Sequence, residues 1–152
     1  MVTSPRYCEK HETLQEVAEQ MSESNIGSLP VVDEDKKPIG IITDRDICIT
    51  VASNAHKPLS EIKVEEIINK RKIFTCSTED NIQTALKIMR TKQVGRLPVV
   101  DTEQKLKGIV SLHTIVRKTP NNEEKMELEY KGEENIFKTL HSLASRRTEL
   151  VF

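Results

Sequence analysis

The feature that most constrains the fold of this chain is an internal repeat, because the 152-residue sequence contains one pattern twice. Residues 13–47 align without a gap on residues 81–115, sixty-eight positions later. In this alignment GSLPVVD returns as GRLPVVD, and GIITDRDI (40–47) returns as GIVSLHTI (108–115). We therefore expect two copies of one supersecondary unit, each of about 55–60 residues and marginally stable alone.

The hydrophobic pattern predicts the same order of elements in both copies. TLQEVAEQMSES (13–24) and its counterpart in the second copy place apolar residues on one face, which is typical of amphipathic helices. Two short β-branched segments follow, joined by a charged turn that predicts a β-hairpin. A further helix is expected to begin near Asp44 and near Leu112, and weaker strands at 6–10 and 72–78 precede the copies. Each unit is therefore predicted as strand-helix-strand-strand-helix, in the α+β (α/β) class.

The repeat also divides the chain into segments. We expect a first unit at 5–53, a linker with a short helix at 54–71, a second unit at 72–118, a polar connector at 119–132, and a C-terminal helix and tail at 133–152. Within the tail, EENIFKTLHSLASRR places its apolar residues on one face and matches the helix dipole with acids first and arginines last. This helix is expected to pack on its own unit, join a dimer partner or meet another protein. A membrane-surface helix is the weaker alternative, because the polar face is not strongly basic.

Composition argues against several classes of function. The chain has 23 Lys and Arg against 24 Asp and Glu, so a non-specific nucleic-acid or anionic membrane partner is not predicted. Apolar runs of transmembrane length and a secretory signal are absent, and Cys8, Cys48 and Cys76 form no Cys-x-x-Cys pair. We therefore expect a cytoplasmic protein with reduced thiols, no disulfide and no metal site. The sequence contains no His-Glu-x-x-His, phosphate-loop or Gly-x-Ser-x-Gly motif, so neither an enzyme nor a cofactor is predicted.

The doubled segments, IGSLPVVD with GIITDRDI and VGRLPVVD with GIVSLHTI, resemble the tandem CBS domain pair, or Bateman module, over about residues 5–118. The resemblance implies two units packed sheet against sheet about a pseudo-two-fold axis, with two clefts that bind adenosine ligands in many members. It implies a regulatory module that senses AMP, ADP or ATP and acts as a homodimer or through a regulated protein partner. The alternatives are a structural dimerisation module without a ligand, S-adenosylmethionine binding, and nucleic-acid binding, which the balanced charge disfavours.

The chemistry of a nucleotide fits the segment GIITDRDI. One carboxylate can accept hydrogen bonds from both hydroxyls of a ribose diol, and phosphate is favoured near a helix N-terminus. The resemblance gives these roles to Asp46 and Thr43, with Arg45 as a nearby cation. A plain helix cap remains the alternative for Thr43, and a first-turn carboxylate that complements the dipole remains the alternative for Asp46. The residues predicted to bind ligand in this cleft are Gly40, Ile41, Thr43, Arg45, Asp46, Phe74, Val94, Gly95 and Arg96.

The second copy departs from this pattern. Ser111 keeps the hydroxyl, but Thr114 occupies the position that corresponds to Asp46. Each charge-assisted hydrogen bond lost is worth roughly 1.5–3 kcal/mol, or about 10- to 150-fold in affinity. The second cleft is therefore predicted to bind nucleotide weakly, to be empty, or to select a different ligand. Its predicted residues are Arg6, Tyr7, Ile26, Gly27, Ile109, Ser111, His113 and Thr114.

Overall fold

A computed structural model of the chain describes residues 5–53, 56–68, 72–118, 139, 140 and 142. These residues form two compact units. What we call the first unit comprises the described residues up to Ile73 together with Thr102–Leu106. The second unit comprises Phe74–Asp101 and the described residues from Lys107 onward.

The first unit is built on a three-stranded sheet. Its elements are β1 (Cys8–Glu9), α1 (Leu14–Ser24), β2 (Ser28–Val32), β3 (Pro38–Thr43), α2 (Asp44–Ser53), a 3₁₀ turn (Leu59–Glu61) and α3 (Val64–Ile68). β1 runs parallel to β2, and β2 pairs with β3 as an antiparallel hairpin in the order β1-β2-β3. The predicted hairpin and the predicted order of elements are therefore confirmed.

The second copy of the repeat folds in the same way. Its elements are β4 (Cys76–Ser77), α4 (Ile82–Lys92), β5 (Arg96–Val100), β6 (Leu106–Ser111) and α5 (Leu112–Lys118). The sheet order is β4-β5-β6, and β4 runs parallel to β5. Both copies thus realise the strand-helix-strand-strand-helix pattern, which confirms the α+β class.

The repeat extends to the helix ends. Thr13 caps α1 in a capping box, in which its hydroxyl accepts from the Glu16 N–H and the Glu16 carboxylate accepts from the Thr13 N–H. Asn81 caps α4 at the equivalent position. Both helices end in a left-handed residue, Asn25 with φ 51° and Gln93 with φ 55°. Asparagine tolerates this conformation better than glutamine does. The second copy therefore keeps the left-handed helix end although Gln93 is less suited to it than Asn25.

Each unit has its own apolar core, formed by the buried stripe of the first helix against the sheet. The first core is formed by side chains including Leu14, Val17, Met21, Leu29, Val31, Ile42, Ile62, Val64 and Ile68. The second core is formed by Cys76, Ala85, Leu86, Met89, Leu97, Val99, Leu112 and Ile115. The residues predicted as a linker therefore contribute to the first core, because Ile62, Val64 and Ile68 are buried there.

The two weaker strands and the linker helix differ from their predictions, and the C-terminal helix is largely untested. The strands expected at 6–10 and 72–78 shrink to two residues each, because only Cys8–Glu9 and Cys76–Ser77 pair with the neighbouring strand. The linker helix is divided at Ile62, whose backbone is extended and whose carbonyl accepts from the Leu14 N–H at 2.9 Å. The predicted helix at 133–147 lies outside the described residues except for Thr139, Leu140 and Ser142, which are helical.

Candidate functional site

The strand-to-helix junction of the first unit joins Thr43, the last residue of β3, to Asp46 in the first turn of α2. The Thr43 hydroxyl donates to Asp46 Oδ2 at 2.6 Å, and the Thr43 N–H donates to the same oxygen at 3.0 Å. In return the Asp46 N–H donates to Thr43 Oγ1 at 3.2 Å. Asp46 is buried, with 5% of its surface exposed, so the carboxylate is held in one orientation at the start of the helix.

These three contacts form a capping box of the kind that begins α1. The cap that the sequence left as an alternative for Thr43 is therefore present in the structure. The 2.6 Å hydroxyl contact has the length of a charge-assisted hydrogen bond. Because burial makes an unpaired carboxylate costly, Thr43 stabilises Asp46 where it lies.

The second unit repeats the junction with neutral groups. The hydroxyls of Ser111 and Thr114 lie 2.9 Å apart, and the Thr114 N–H donates to Ser111 Oγ at 3.1 Å. The start of α5 is therefore capped without a carboxylate. The two junctions share the contact between side chains and the contact from the helix N–H to the hydroxyl, and they differ in charge because Asp46 is a carboxylate and Thr114 a hydroxyl.

Two glycines at the predicted sites have packing partners in the first unit. A Cβ on Gly40 would lie 3.1 Å from Ile68 Cβ, so this glycine lets α3 approach β3. A Cβ on Gly27 would lie 2.9 Å from the carboxylate of Asp44. The equivalent Gly95 has nothing within 4 Å of that position. Packing therefore accounts for Gly40, whereas the carboxylate near Gly27 belongs to the exposed side chain of Asp44, which can move aside.

The structure divides the predicted ligand-binding residues between the two units. The first unit holds Arg6, Tyr7, Ile26, Gly27, Gly40, Ile41, Thr43, Arg45 and Asp46. The second unit holds Phe74, Val94, Gly95, Arg96, Ile109, Ser111, His113 and Thr114. Each predicted cleft combines residues of both units, and that grouping stays a prediction.

The remaining predicted residues pack on the core, are half-buried or are exposed: Ile41 and Ile109 are half-buried, and Tyr7 and Ile26 are 37% exposed. Phe74 and Val94 pack against the second core, and the ammonium group of Lys92 lies 5.3 Å from the Phe74 ring centre. Arg6, Arg45, Gly95, Arg96 and His113 are exposed. Exposed cations suit the expected role of Arg45 and Arg96 towards phosphate, while Phe74 and Val94 also serve the core.

A groove lies beside the junction, and its lining includes Ile26 and Gly27, which the sequence assigned to the second predicted cleft. It is open, has a volume of about 460 Å³, and runs between the C-terminal end of α1 and the first turns of α2. Its lining includes Ala18, Met21, Ser22, Asn25, Asp44 and Ile47. The aligned copies contain one sign of this groove, because the small residues Ala18 and Ser22 occupy the positions of the larger Leu86 and Arg90.

Two of the three cysteines, Cys8 and Cys76, are buried, and burial raises the pKa of both thiols. Burial raises the pKa of the Cys8 thiol to about 12, with the charge of Glu12 adding to the shift. Burial also raises the pKa of Cys76, whereas Cys48 is exposed. Across the described ranges, no cluster of three His, Cys, Asp or Glu side chains could hold a metal ion. Within the same ranges, no helix has the length and apolar character needed to cross a membrane.

Comparison with known proteins agrees with the duplicated fold. The family model of the CBS domain matches residues 1–53 and 64–121. Hypoxic response protein 1 of Mycobacterium tuberculosis is 34% identical over 113 residues, which are 74% of this chain and 77% of that protein. The uncharacterized protein MK0525 of Methanopyrus kandleri is 38% identical over 109 residues, or 72% of this chain.

Some relatives are much longer than the matched segment. The match covers about half of MK0525, at 55% of its length. Inosine-5'-monophosphate dehydrogenase of Aquifex aeolicus is 32% identical over 80% of this chain, but the match covers only 24% of that enzyme. The catalytic activity of such a relative therefore carries no weight for this chain.

Among the solved structures that share the fold, two examples have 30% sequence identity or more. Hypoxic Response Protein I, solved with two coordinated zinc ions, superposes with a TM-score of 0.69 at 33% identity, covering 79% of this chain and 95% of that one. The CBS domain pair of MJ0100, solved with methylthioadenosine and S-adenosylmethionine, has a TM-score of 0.65 at 30% identity and covers 76% and 91%. With two matched segments and these neighbours, the chain belongs to the CBS-domain family as a tandem pair.

Proposed function

We propose that this chain is a non-catalytic regulatory module that binds an adenosine-containing ligand of the AMP, ADP and ATP class. The observation that carries the proposal is the buried Asp46 carboxylate, held by Thr43 at the start of α2. The MJ0100 domain pair, 30% identical to this chain, is complexed with methylthioadenosine and S-adenosylmethionine. Both of those molecules carry a ribose diol, the group that a carboxylate can accept from twice.

Each part of the ligand has an assigned partner in the proposal. Asp46 accepts the ribose hydroxyls, while Thr43 and the cation of Arg45 receive phosphate near the N-terminus of α2. Arg96 supplies a second cation for phosphate. The residues proposed to contact the base are Gly40, Ile41, Phe74, Val94 and Gly95.

The second cleft is proposed to be the weaker one. Its Ser111–Thr114 pair offers hydroxyls in place of a carboxylate, so a ribose there loses the charge-assisted contact. Ligand stoichiometry tests this asymmetry. Two equally tight sites per chain would contradict it, and one tight site with a much weaker or absent second site would support it.

The regulatory signal is proposed to pass through association with another chain. A ligand can change such an association only if it binds the free and the associated states with different affinity. A homodimer fits the apolar side chains that α2 and α5 expose. Ile49 is 50% exposed, Val51 is 51% exposed and Val116 is 45% exposed. Sedimentation of the chain with and without ligand measures whether association exists and whether ligand changes it.

Calorimetric titration with AMP, ADP, ATP and S-adenosylmethionine tests the proposed function. We expect binding by at least one of them, and a loss of about tenfold or more in Asp46→Asn, which removes the charge and keeps the size. Asp44→Asn is the matched control, because Asp44 is an exposed carboxylate two residues away on the same helix. The competing function is a structural module without a ligand. No heat and no ligand-dependent rise in melting temperature with any of the four would establish that alternative.

A further inference from the structure

The described residues contain two phenylalanine or tyrosine side chains, Tyr7 and Phe74. Each lies shortly before the first strand of its copy of the repeat, since β1 begins at Cys8 and β4 begins at Cys76. Tyr7 is 37% exposed, and Phe74 is half-buried and packs against the second core. Both rings are assigned to predicted clefts, and a flat aromatic ring is a good surface for contact with a purine base.

The ring of Tyr7 has a lysine ammonium group over it. Lys36 Nζ lies 4.7 Å from the ring centre, within the roughly 6 Å over which a cation is attracted to an aromatic face. The same ammonium group donates to Glu9 Oε1 at 2.7 Å. The hydrogen bond to Glu9, followed by the interaction with Tyr7, raises the pKa of Lys36, so this group is charged at neutral pH. The Lys36 carbonyl also accepts from the Leu106 N–H at 2.9 Å, so both the backbone and the side chain of this lysine are fixed.

The ring of Phe74 has the same kind of partner. Lys92 Nζ lies 5.3 Å from the centre of that ring. Lys92 is the last residue of α4, where the helix dipole favours a cation. Val94 and Gly95, which are predicted to contact the base, follow within three residues. Lys92 therefore connects the end of α4 to a ring that is assigned to the first predicted cleft.

Duplication does not explain these two contacts. The shift of sixty-eight positions takes Lys36 to Gln104 and takes Lys92 back to Ser24, so neither lysine has a charged counterpart. The two lysines also come from different elements, since Lys36 lies in the turn between β2 and β3 and Lys92 lies at a helix end. A common origin therefore does not account for the contacts, whereas a common requirement on the two rings would.

A lysine beside a nucleotide cleft could act in two ways. It could contact phosphate directly, or it could fix the orientation of the ring, because the attraction is strongest when the cation lies over the aromatic face. Glu9 already pairs with Lys36 at 2.7 Å, which makes this ammonium group a poor phosphate ligand. The geometry at Lys36 therefore favours an action through the ring of Tyr7.

We propose that Lys36 and Lys92 are positioning residues for the base of the ligand. Lys92 fixes the plane of the Phe74 ring in the first cleft, and Lys36 fixes the plane of the Tyr7 ring in the second cleft. The rings contact the adenine, and the lysines act on the ligand only through them. This inference rests on the proposed function, because it assigns both rings to clefts that bind an adenosine ligand.

The test begins with Lys92 and Phe74, because the first cleft is the site proposed to be tighter. In calorimetric titration of the full chain with AMP and ATP, Lys92→Gln should weaken binding about two- to fivefold. Lys92→Arg should restore it, since a guanidinium group is also attracted to an aromatic face. Phe74→Leu should weaken binding as well, and Lys92→Gln should add no further loss in that background.

Lys87→Gln is the matched control, because it removes the same charge from an exposed position of the same helix and should bind as the parent does. Melting temperatures verify that each variant is folded. Lys36→Gln should weaken the second site about two- to fivefold. A chain with no second site for any of the four adenosine ligands would overturn the part of the proposal that concerns Lys36.

A second measurement needs no ligand. In NMR spectra of the parent chain, ring currents should shift the ε-methylene protons of Lys36 and Lys92 upfield. Tyr7→Leu and Phe74→Leu should each remove the shift of the lysine over that ring. A positioning role also requires that the shift of Lys92 persist when AMP saturates the chain.

Three results would overturn the proposal and leave nucleotide binding in place. The first is an unchanged affinity for AMP and ATP in Lys92→Gln. The second is an additive loss for Lys92→Gln and Phe74→Leu, because the ammonium group would then contact the ligand directly. The third is loss of the upfield shift of Lys92 when AMP binds, because the lysine would then leave the ring. A parent chain that binds neither AMP nor ATP would instead remove the proposed function for these nucleotides, and this inference with it.

Discussion

Replacing Asp46 by threonine would give the first copy the ending that the second copy already has. In the second unit the Ser111 and Thr114 hydroxyls lie 2.9 Å apart and cap α5. A hydroxyl at position 46 can therefore keep its contact with the Thr43 hydroxyl. The substitution removes the carboxylate oxygen that accepts from the Thr43 N–H at 3.0 Å. We expect Asp46→Thr to destabilise the fold by about 1.5 kcal/mol, the lower end of the range for a hydrogen bond to a charged group.

Asp46→Ala supplies the comparison, because it removes both bonds that the carboxylate accepts from Thr43. It also leaves polar groups of a nearly buried junction without that acceptor, so its cost should reach about 2–3 kcal/mol. Urea unfolding at neutral pH, with the slope held constant across variants, measures both differences. Equal losses for Asp46→Thr and Asp46→Ala would refute the argument, since the hydroxyl would then contribute nothing to the cap.

The reciprocal substitution places a carboxylate in the second junction. Thr114→Asp places a carboxylate in the first turn of α5, where the helix dipole favours negative charge by about 0.3–1 kcal/mol. We expect a small gain in stability, measured in the same unfolding experiment. A net loss would mean that desolvation at this half-buried position outweighs the dipole, and that the two junctions are not interchangeable.

Three further predictions concern positions away from this pair. Gly40→Ala should cost about 1–3 kcal/mol in urea unfolding through overpacking, since its Cβ would lie 3.1 Å from Ile68 Cβ; Ile68→Ala in the same chain should remove part of that penalty. At mildly alkaline pH a thiol reagent should modify Cys48 rapidly and Cys8 slowly, because burial raises the Cys8 pKa to about 12; rapid modification of Cys8 would contradict this. Hydrogen bonds from Thr13 lower the pKa of Glu16, so the ionised carboxylate stabilises the fold above its unfolded pKa and this contribution is lost as pH falls through the folded pKa. Glu16→Gln should therefore lower the urea midpoint at neutral pH and match the parent in acid.

The helices and the hairpins could be predicted because their signals are local. The apolar stripe of α1, with Leu14, Val17 and Met21, is spaced at the period of a helix and is buried in the structure. The division of the linker helix at Ile62 could not be predicted, because the Ile62 carbonyl bonds to Leu14 N, nearly fifty residues earlier. A contact of that kind is set by tertiary packing and leaves no local pattern.

The candidate site, too, depends on tertiary contacts that no local sequence pattern predicts. The motif identified Thr43 and Asp46 as a pair, but their hydrogen bonds depend on the path of the chain from β3 into α2. The open groove is harder to predict, because it depends on where two helices approach each other. The sequence named two residues of its lining, Ile26 and Gly27, but as part of the second predicted cleft.

Comparison of the two junctions bears directly on why Asp46 is a carboxylate. If capping were its whole purpose, the second unit shows that a neutral pair suffices, since Ser111 and Thr114 begin α5 with the same three-residue spacing. A carboxylate that is 5% exposed carries a desolvation cost that a threonine avoids. The contact with Thr43 offsets part of this cost. A ligand that brought two hydroxyl donors to the carboxylate would offset more of it, because it would add charge-assisted hydrogen bonds where the neutral junction can offer only weaker ones.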